Sequence, residues 1–162
     1  MDDNHTTDIS RSKQSLRVWL KLLGSTNHVA SKVRERLRVD FATTLPRFDV
    51  LAELSRRPNG VTMGELSSML MVSNGNLTGL AKRLQNDGLI LRSPMPTDKR
   101  THILFITSKG RTAFKAMALQ HEKWVEALFS DLADKDITAL LTILSKIKYD
   151  GMQTKNITES DL

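Results

Sequence analysis

The stretch from residue 75 to residue 87 constrains the fold more than any other part of the sequence, because its apolar residues repeat with the period of a helix. Four of them stand at positions i, i+3, i+4 and i+7, the spacing of one buried helical face: Leu77, Leu80, Ala81 and Leu84. Ser73 precedes the stretch as a favourable N-cap, and Asp87-Gly88 follows it with a residue that tolerates positive φ. The pattern predicts a helix that packs one face into a core and leaves the other face free.

The free face of this predicted helix is small and polar at its start and basic toward its end. Asn and Thr side chains bond base edges, Lys and Arg hold phosphates or guanine, and small residues let the backbone approach a major groove. Gly75 and Gly79 each destabilise a helix by up to about 1 kcal/mol relative to Ala. A surface helix with only a structural role gains nothing evident from this loss. The segment therefore predicts a DNA-reading helix, with an ordinary exposed helix of a basic protein as the alternative. Its candidate DNA-binding residues are Ser73, Asn74, Gly75, Asn76, Thr78, Gly79, Lys82 and Arg83.

Two shorter helices are predicted before this one. Residues 46–56 carry an apolar side and have Pro46 in the first turn, where a missing N–H costs nothing. Thr62 and Glu65 have the spacing of a capping box, which opens a short helix through Leu70. The short helix, the tight turn and the helix that follows have the order of a helix-turn-helix.

A β-hairpin is predicted after the helix-turn-helix. Residues 89–91 and 102–107 read as two short strands, and residues 93–100 between them form a loop held open by two prolines. A helix-turn-helix followed by a hairpin is a winged helix-turn-helix core.

The tip of the predicted hairpin is a second candidate DNA contact. Lys99 and Arg100 lie where they can reach an adjacent minor groove, which attracts arginine. Asp98 is expected to hold Arg100 through a charge-assisted pair that fixes the direction of the guanidinium group. The alternative is a solvated tip with a trivial surface ion pair.

Long helices are predicted on both sides of this core. Residues 12–38 have helical periodicity without a proline, Ser108 caps a helix to about Leu132, and Asp134 begins a last helix to about Tyr149. The fold class is therefore mainly α with a small β-hairpin (α+β), a winged helix-turn-helix core flanked by dimerisation helices.

The flanking helices carry more apolar surface than a small core can cover. A large apolar surface on terminal helices is best buried in a homodimer, although these helices could instead wrap their own domain. The predicted segments are a disordered tail at 1–11, an N-terminal dimerisation helix at 12–44, the winged helix-turn-helix at 45–111, C-terminal dimerisation helices at 112–150 and a flexible tail at 151–162.

Charge is concentrated in two blocks of the sequence. The net charge is +6, and residues 11–38 and 73–111 carry +7 and +5 against a neutral or acidic remainder. Clustered Lys and Arg attract a polyanion such as nucleic acid, although charge runs are often only solvated faces. Single-stranded RNA is disfavoured because aromatic residues, its stacking platforms, make up only 5% of the chain.

Other classes of protein are excluded by what the sequence lacks. It has no Cys, no metal-ligand spacing among its four His, and no phosphate-binding or nucleophile motif, so we expect no enzyme, no cofactor and no metal. No stretch has the length of a membrane span and the N-terminus is acidic and polar, so we expect a cytoplasmic protein.

Residues 45–111 resemble the MarR family of bacterial transcription regulators. The resemblance rests on the stretches Leu45-Pro46-Arg47-Phe48-Asp49-Val50-Leu51, Thr62-Met63-Gly64-Glu65-Leu66, Ser73-Asn74-Gly75-Asn76-Leu77-Thr78, Arg83-Leu84-Gln85-Asn86-Asp87-Gly88-Leu89-Ile90, Thr97-Asp98-Lys99-Arg100 and Ile106-Thr107-Ser108-Lys109-Gly110. It implies a homodimer with interlocked terminal helices, a pseudo-palindromic DNA operator, and an anionic aromatic effector that lowers DNA affinity. The sequences around Arg47 and around Ser73 are similar to those of the branch of the family that governs aromatic-acid catabolism. Some members of that branch sense aryl-CoA thioesters.

The resemblance also implies an effector pocket between the first helix, the second helix and the wing domain. Aromatic residues there suit a ring, Arg47 or His28 suits a carboxylate, and further arginines suit a phosphorylated ligand such as an acyl-CoA thioester. The alternatives are that the aromatic residues belong to the core and that the arginines are solvated or touch DNA. The candidate effector-binding residues are Trp19, Leu23, His28, Arg34, Arg36, Arg38, Phe41, Arg47 and Phe48.

The sequence thus predicts a homodimeric, sequence-specific double-stranded DNA-binding regulator. The expected activity is ligand-responsive repression, with release from the operator by a small anionic aromatic compound or its CoA thioester. The alternative is a winged-helix protein–protein interaction module without an effector.

Overall fold

The computed structural model describes residues 10–147, which form six helices and a small three-stranded sheet. The elements are α1 (Arg11–Phe41), α2 (Leu45–Ser55), β1 (Val61–Thr62), α3 (Met63–Leu70), α4 (Asn74–Asn86), β2 (Ile90–Met95), β3 (Asp98–Ile106), α5 (Ser108–Leu128) and α6 (Asp134–Leu144). The sheet is antiparallel with strand order β1-β3-β2. The predicted fold class, mainly α with a small β-hairpin, is confirmed. Among the described residues, no helix combines the length and the apolarity needed to cross a membrane.

Short-range side-chain caps begin the helices of the winged core. The Thr62 hydroxyl accepts from the Glu65 N–H and the Glu65 carboxylate accepts from the Thr62 N–H, which is the predicted capping box. Ser73 caps α4 by accepting from the Asn76 N–H. The prediction that Ser108 caps α5 was wrong by one residue: the Thr107 hydroxyl accepts from the Gly110 N–H at 2.9 Å.

The wing is a tighter hairpin than predicted. Strand β2 continues through Pro94 to Met95, so only residues 96 and 97 separate it from β3, and the expected open loop at 93–100 was wrong. Pro94 is accommodated because β2 is an edge strand, where a residue without an N–H leaves no ladder bond unmade, and because the register shifts between Pro94 and Met95. The sheet also has a third strand, β1, which the sequence reading missed because it contains only two residues.

The long helices differ from prediction at their ends. Helix α1 begins at Arg11, inside the segment expected to be a tail, and continues to Phe41, where Ala42 adopts a left-handed conformation with φ 49°. Helix α5 ends at Leu128 and α6 at Leu144, both earlier than expected. The remainder of the two predicted tails, residues 1–9 and 151–162, lies outside the described residues, as does Tyr149, the expected end of the last helix.

The core lies where the end of α1, α2, α3, α4, the sheet and the middle of α5 meet. Fully buried side chains from several of these elements pack in it, including Leu37, Leu51, Leu54, Leu66, Leu77, Leu84 and Leu104. By contrast, helix α6 has no buried residue and the first half of α1 has none either. Their apolar side chains remain exposed within a single chain: Leu16, Val18, Trp19, Leu20, Leu23, Ile137, Leu140, Leu141 and Ile143.

Candidate nucleic-acid interface

Helix α4 is split lengthwise into a buried face and an exposed face. Leu77 and Leu84 are fully buried and Ala81 is 6% exposed. Every residue predicted to contact DNA on this helix is accessible: Gly79 is half-exposed and the others, Ser73, Asn74, Gly75, Asn76, Thr78, Lys82 and Arg83, are exposed. The helix sequence contains no acidic residue, so its accessible face is neutral at the start and positive toward the end.

The two glycines of α4 leave space that nothing else in the described chain fills. A Cβ at Gly75 would meet no atom within 4 Å, and one at Gly79 would meet only the Arg83 guanidinium at 3.9 Å. Neither position has the positive φ that would require glycine. The packing of the chain therefore does not account for these glycines, whereas the close approach of a second molecule would.

The C-terminal end of α4 is held by two basic residues from other helices. Arg47 of α2 forms an ion pair with Asp87, with Nη2 and Oδ2 at 2.5 Å, and Lys109 of α5 donates to the Asp87 carbonyl at 2.8 Å. A carboxylate at a helix C-terminus is unfavourable because the carbonyl ends already carry partial negative charge. These two cations offset that charge and join α2, α4 and α5.

The base of the wing tip is organised by Asp98. Its carboxylate accepts from the Arg100 N–H at 3.0 Å and from the Thr101 hydroxyl at 2.9 Å, and these hydrogen bonds hold the pKa of Asp98 below its ordinary value. The Arg100 Nε lies 3.6 Å from Asp98 Oδ1, and the Arg100 side chain is 96% exposed. Asp98 therefore mainly orders the start of β3 through hydrogen bonds. The ion pair between Asp98 and Arg100, which was expected to orient the guanidinium group, is too long to fix it. Lys99 belongs to β3, and its side chain is outside what the structure describes.

A cleft of about 500 Å³ separates the wing from the two helices of the helix-turn-helix. Its lining residues come from the start of α3, the exposed face of α4 and the strands of the wing: Thr62, Met63, Gly64, Asn74, Thr78, Arg92, Arg100, Thr101 and His102. Sequence reasoning missed Arg92 and His102. Only the pairing of β2 with β3 brings them beside α4, and that pairing follows from a turn whose position was predicted incorrectly.

The nine residues predicted to bind an effector do not meet at one place within the chain. Trp19 precedes Phe41 by 22 residues on one continuous helix, a separation of about 33 Å at 1.5 Å per residue. Trp19 and Phe41 therefore cannot line one compact pocket within one subunit. Phe48 is a core residue, 7% exposed, with its ring 5.5 Å from that of Phe114 and 4.9 Å from that of His121.

The remaining members of this set lie in four different surroundings. Phe41 packs edge-on against Trp124 with ring centroids 6.1 Å apart, and Arg47 is engaged by Asp87. His28 lines a separate groove of about 1150 Å³ between the first half of α1 and the end of α5. The others are exposed along α1: Leu23, Arg34, Arg36 and Arg38.

Five aromatic rings form a cluster where α1, α2 and α5 meet: Phe41, Phe48, Phe114, His121 and Trp124. The sequence did not identify two titratable groups at this junction, Asp49 and His121. Burial, with a smaller contribution from the charge of Glu53, raises the pKa of Asp49 to about 6 against the lowering effect of Arg34. Burial also lowers the pKa of His121, whose ring stacks on Phe48. Both lie at the junction of α1, α2 and α5, which no sequence motif marks.

Comparison with known proteins gives a consistent result. Residues 43–102 match the MarR family. The transcriptional activatory protein BadR of Rhodopseudomonas palustris is 34% identical over 107 residues, covering 64% of this chain and 61% of BadR. The HTH-type transcriptional regulator PecS of Dickeya dadantii is 26% identical over 103 residues, 62% of each protein. The chain thus spans about three fifths of these relatives, which are transcriptional regulators rather than enzymes.

The fold is also similar to solved structures. A mutant of MarR from E. coli, complexed with operator DNA, superposes with a TM-score of 0.72 over 85% of this chain and 98% of that one, at 22% identity. At this identity the likeness concerns the fold alone.

Proposed function

We propose that the chain is a member of the MarR family, which residues 43–102 match, and that it is a homodimeric transcriptional regulator that binds double-stranded DNA in a sequence-specific manner. The observation that carries the proposal is the accessible, acid-free face of α4, which is continuous with the cleft and with the exposed Arg100 of the wing. Small polar residues at the start of that face suit base edges, and Lys82 and Arg83 suit phosphates.

The homodimer is supported by the apolar surface that one chain leaves uncovered. Trp19 and Leu20 of α1 are each 55% exposed, and Leu141 of α6 is 64% exposed. Such side chains on terminal helices are stabilised when a second copy covers them. Two-fold symmetry would then place two copies of α4 about 34–36 Å apart, one turn of DNA, or a multiple of that spacing, and the operator would be pseudo-palindromic.

An anionic aromatic compound or its CoA thioester is the proposed effector, and release from the operator is its proposed effect. The support is the group of aromatic rings at the junction of α1, α2 and α5 and, separately, the Arg47 guanidinium at the start of α2. An anion that competes with Asp87 for Arg47 would loosen the C-terminal end of α4, which would couple effector binding to DNA affinity. Repression follows if the operator overlaps a promoter.

The DNA proposal is tested by selecting duplexes from a random-sequence pool with the wild-type protein. We expect a pseudo-palindromic consensus, a footprint of two half-sites, and a dimer in sedimentation velocity. Asn76→Ala, on the α4 face, should weaken binding to the selected duplex, whereas Lys123→Gln on α5 should leave it unchanged. Failure to enrich any sequence would overturn sequence-specific binding, and a monomer at working concentration would overturn the dimer.

The effector proposal is tested by a thermal-shift screen of aromatic acids and their CoA thioesters. A compound that raises the melting temperature is then added to the protein–duplex complex, where we expect dissociation, and to a reporter strain, where we expect derepression. Stabilisation of the protein without release of DNA would contradict the proposed effect.

A further inference from the structure

The register of the wing points two of its side chains toward the helices. In the β2–β3 ladder, Ile90 pairs with Ile106, Arg92 with Leu104 and Pro94 with His102, and such cross-strand partners lie on the same side of a sheet. Ile90 is 2% exposed and Leu104 is fully buried, so this side faces the core. Farther along the hairpin the core ends, and Arg92 and His102 face the cleft beside α4 instead.

The chemistry of this cleft is that of an anion site. Two guanidinium groups and an imidazole line it, and no carboxylate of the described residues does. Within residues 10–147, Arg92 makes no ion pair or hydrogen bond. The His102 Nδ1 is shielded from solvent and has no hydrogen-bond partner in the described chain. A buried nitrogen without a partner is costly, and such atoms are few in native proteins.

The geometry of a duplex determines which anion would occupy the cleft. One sugar–phosphate backbone always separates a major groove from the adjacent minor groove. If α4 lies in the major groove and Arg100 reaches the minor groove, that backbone must cross the space between α4 and the wing, and this space is the cleft.

We propose that the cleft is a phosphodiester-binding site in which Arg92 contacts the DNA strand that runs between the two grooves. Thr78 and Asn74, on the α4 side of the cleft, border the same DNA strand, and His102 lines the cleft on the wing side. The inference rests on the proposed function, because it requires α4 and the wing to bind one duplex. Arg92 is thereby a phosphate-binding residue, and it carries no base specificity.

Salt dependence of binding tests the contact. Arg92→Gln should reduce the slope of log affinity against log salt by about one unit and should weaken binding to selected and random duplexes by the same factor. Arg92→Lys should keep the slope, because a point charge still neutralises a phosphate. Lys123→Gln removes one exposed charge on α5 and serves as the matched control with an unchanged slope, provided that sedimentation velocity shows the same oligomer as the wild type. Melting temperatures of all variants verify that they fold.

Neutral phosphates test the location. Single methylphosphonates are placed along the selected duplex, and wild-type protein should lose affinity when the phosphate between the major-groove and minor-groove contacts is neutral. Arg92→Gln should lose nothing further at that position. If wild-type protein binds no duplex, the proposed function itself fails. If it binds and Arg92→Gln has the slope of the Lys123→Gln control, or no phosphate between the grooves matters, the function stands and this inference is overturned.

Discussion

Arg47 and Asp87, 40 residues apart in sequence, form a 2.5 Å ion pair that joins the first turn of α2 to the C-terminal end of α4. The Arg47 side chain is 20% exposed and Asp87 51% exposed, so the pair lies at the edge of the core. The structure thus assigns Arg47 a partner within the protein. An effector carboxylate that takes the Nη2 donor of Arg47 would displace Asp87 from it.

Removing Arg47 should affect α4 as well as any effector response. Arg47→Ala removes the ion-pair partner of the Asp87 carboxylate at a helix C-terminus, so we expect a loss of about 0.5–1 kcal/mol in the free energy of unfolding and weaker DNA binding. A double-mutant cycle with Asp87→Asn measures the coupling. Additive effects of the two substitutions would show that the pair contributes nothing.

The polar start of α4 should set sequence preference. Asn76→Ala and Thr78→Ala should each relax discrimination at particular bases by about 1–3 kcal/mol, because their exposed side chains lie on the face that would meet base edges. Binding to an array of single-base variants of the selected duplex measures this effect. An equal loss of affinity for selected and random duplexes would contradict a role in base recognition.

Gly79→Ala should separate stability from function. A Cβ there meets only the Arg83 guanidinium at 3.9 Å, so the helix should gain about 0.5–1 kcal/mol of stability. The same methyl group occupies space that a groove wall would need, so DNA affinity should fall. Urea unfolding and fluorescence anisotropy on one preparation provide both values. Higher stability with full DNA affinity would show that the DNA does not approach this part of the helix.

Substitution on α6 should dissociate the dimer without unfolding the chain. Leu141 is 64% exposed and Ile143 58% exposed within a single subunit, so Leu141→Glu with Ile143→Glu costs little in the monomer but places carboxylates in an apolar interface. Sedimentation velocity should show a folded monomer, verified by circular dichroism. A variant that remains dimeric would place the interface elsewhere.

Asp49 should make stability depend on pH. Because burial raises its pKa from 3.8 to about 6, the folded protein binds more protons than the unfolded chain between these values. Its contribution is fully present below about pH 4 and is lost as pH rises through about 6. Asp49 remains partly exposed, so we expect only about 1 kcal/mol after solvent screening.

Comparison with Asp49→Asn isolates this contribution from that of His121, whose lowered pKa acts in the opposite direction. From pH 4 to pH 6, the free energy of unfolding of the wild type should fall relative to that of Asp49→Asn. A difference that does not vary with pH would show that the carboxyl is solvated.

Features that depend on neighbours in sequence were predictable. The apolar spacing of α4, its Ser73 cap and the Thr62–Glu65 capping box act over one or two turns of chain, and all three occur in the structure. Helix ends were less predictable: the Thr107 and Ser108 hydroxyls are both competent caps, and only the local backbone selects Thr107.

What the sequence by itself determined is therefore the order of the elements and the division of α4 into an apolar and a polar side, because both follow from local periodicity and capping. Only the tertiary structure decided that Arg47 meets Asp87, that Phe48 is buried and that Arg92 and His102 face α4 across a cleft. These relationships join residues distant in sequence through strand register and helix packing, whose energies depend on the whole core rather than on any short segment of chain.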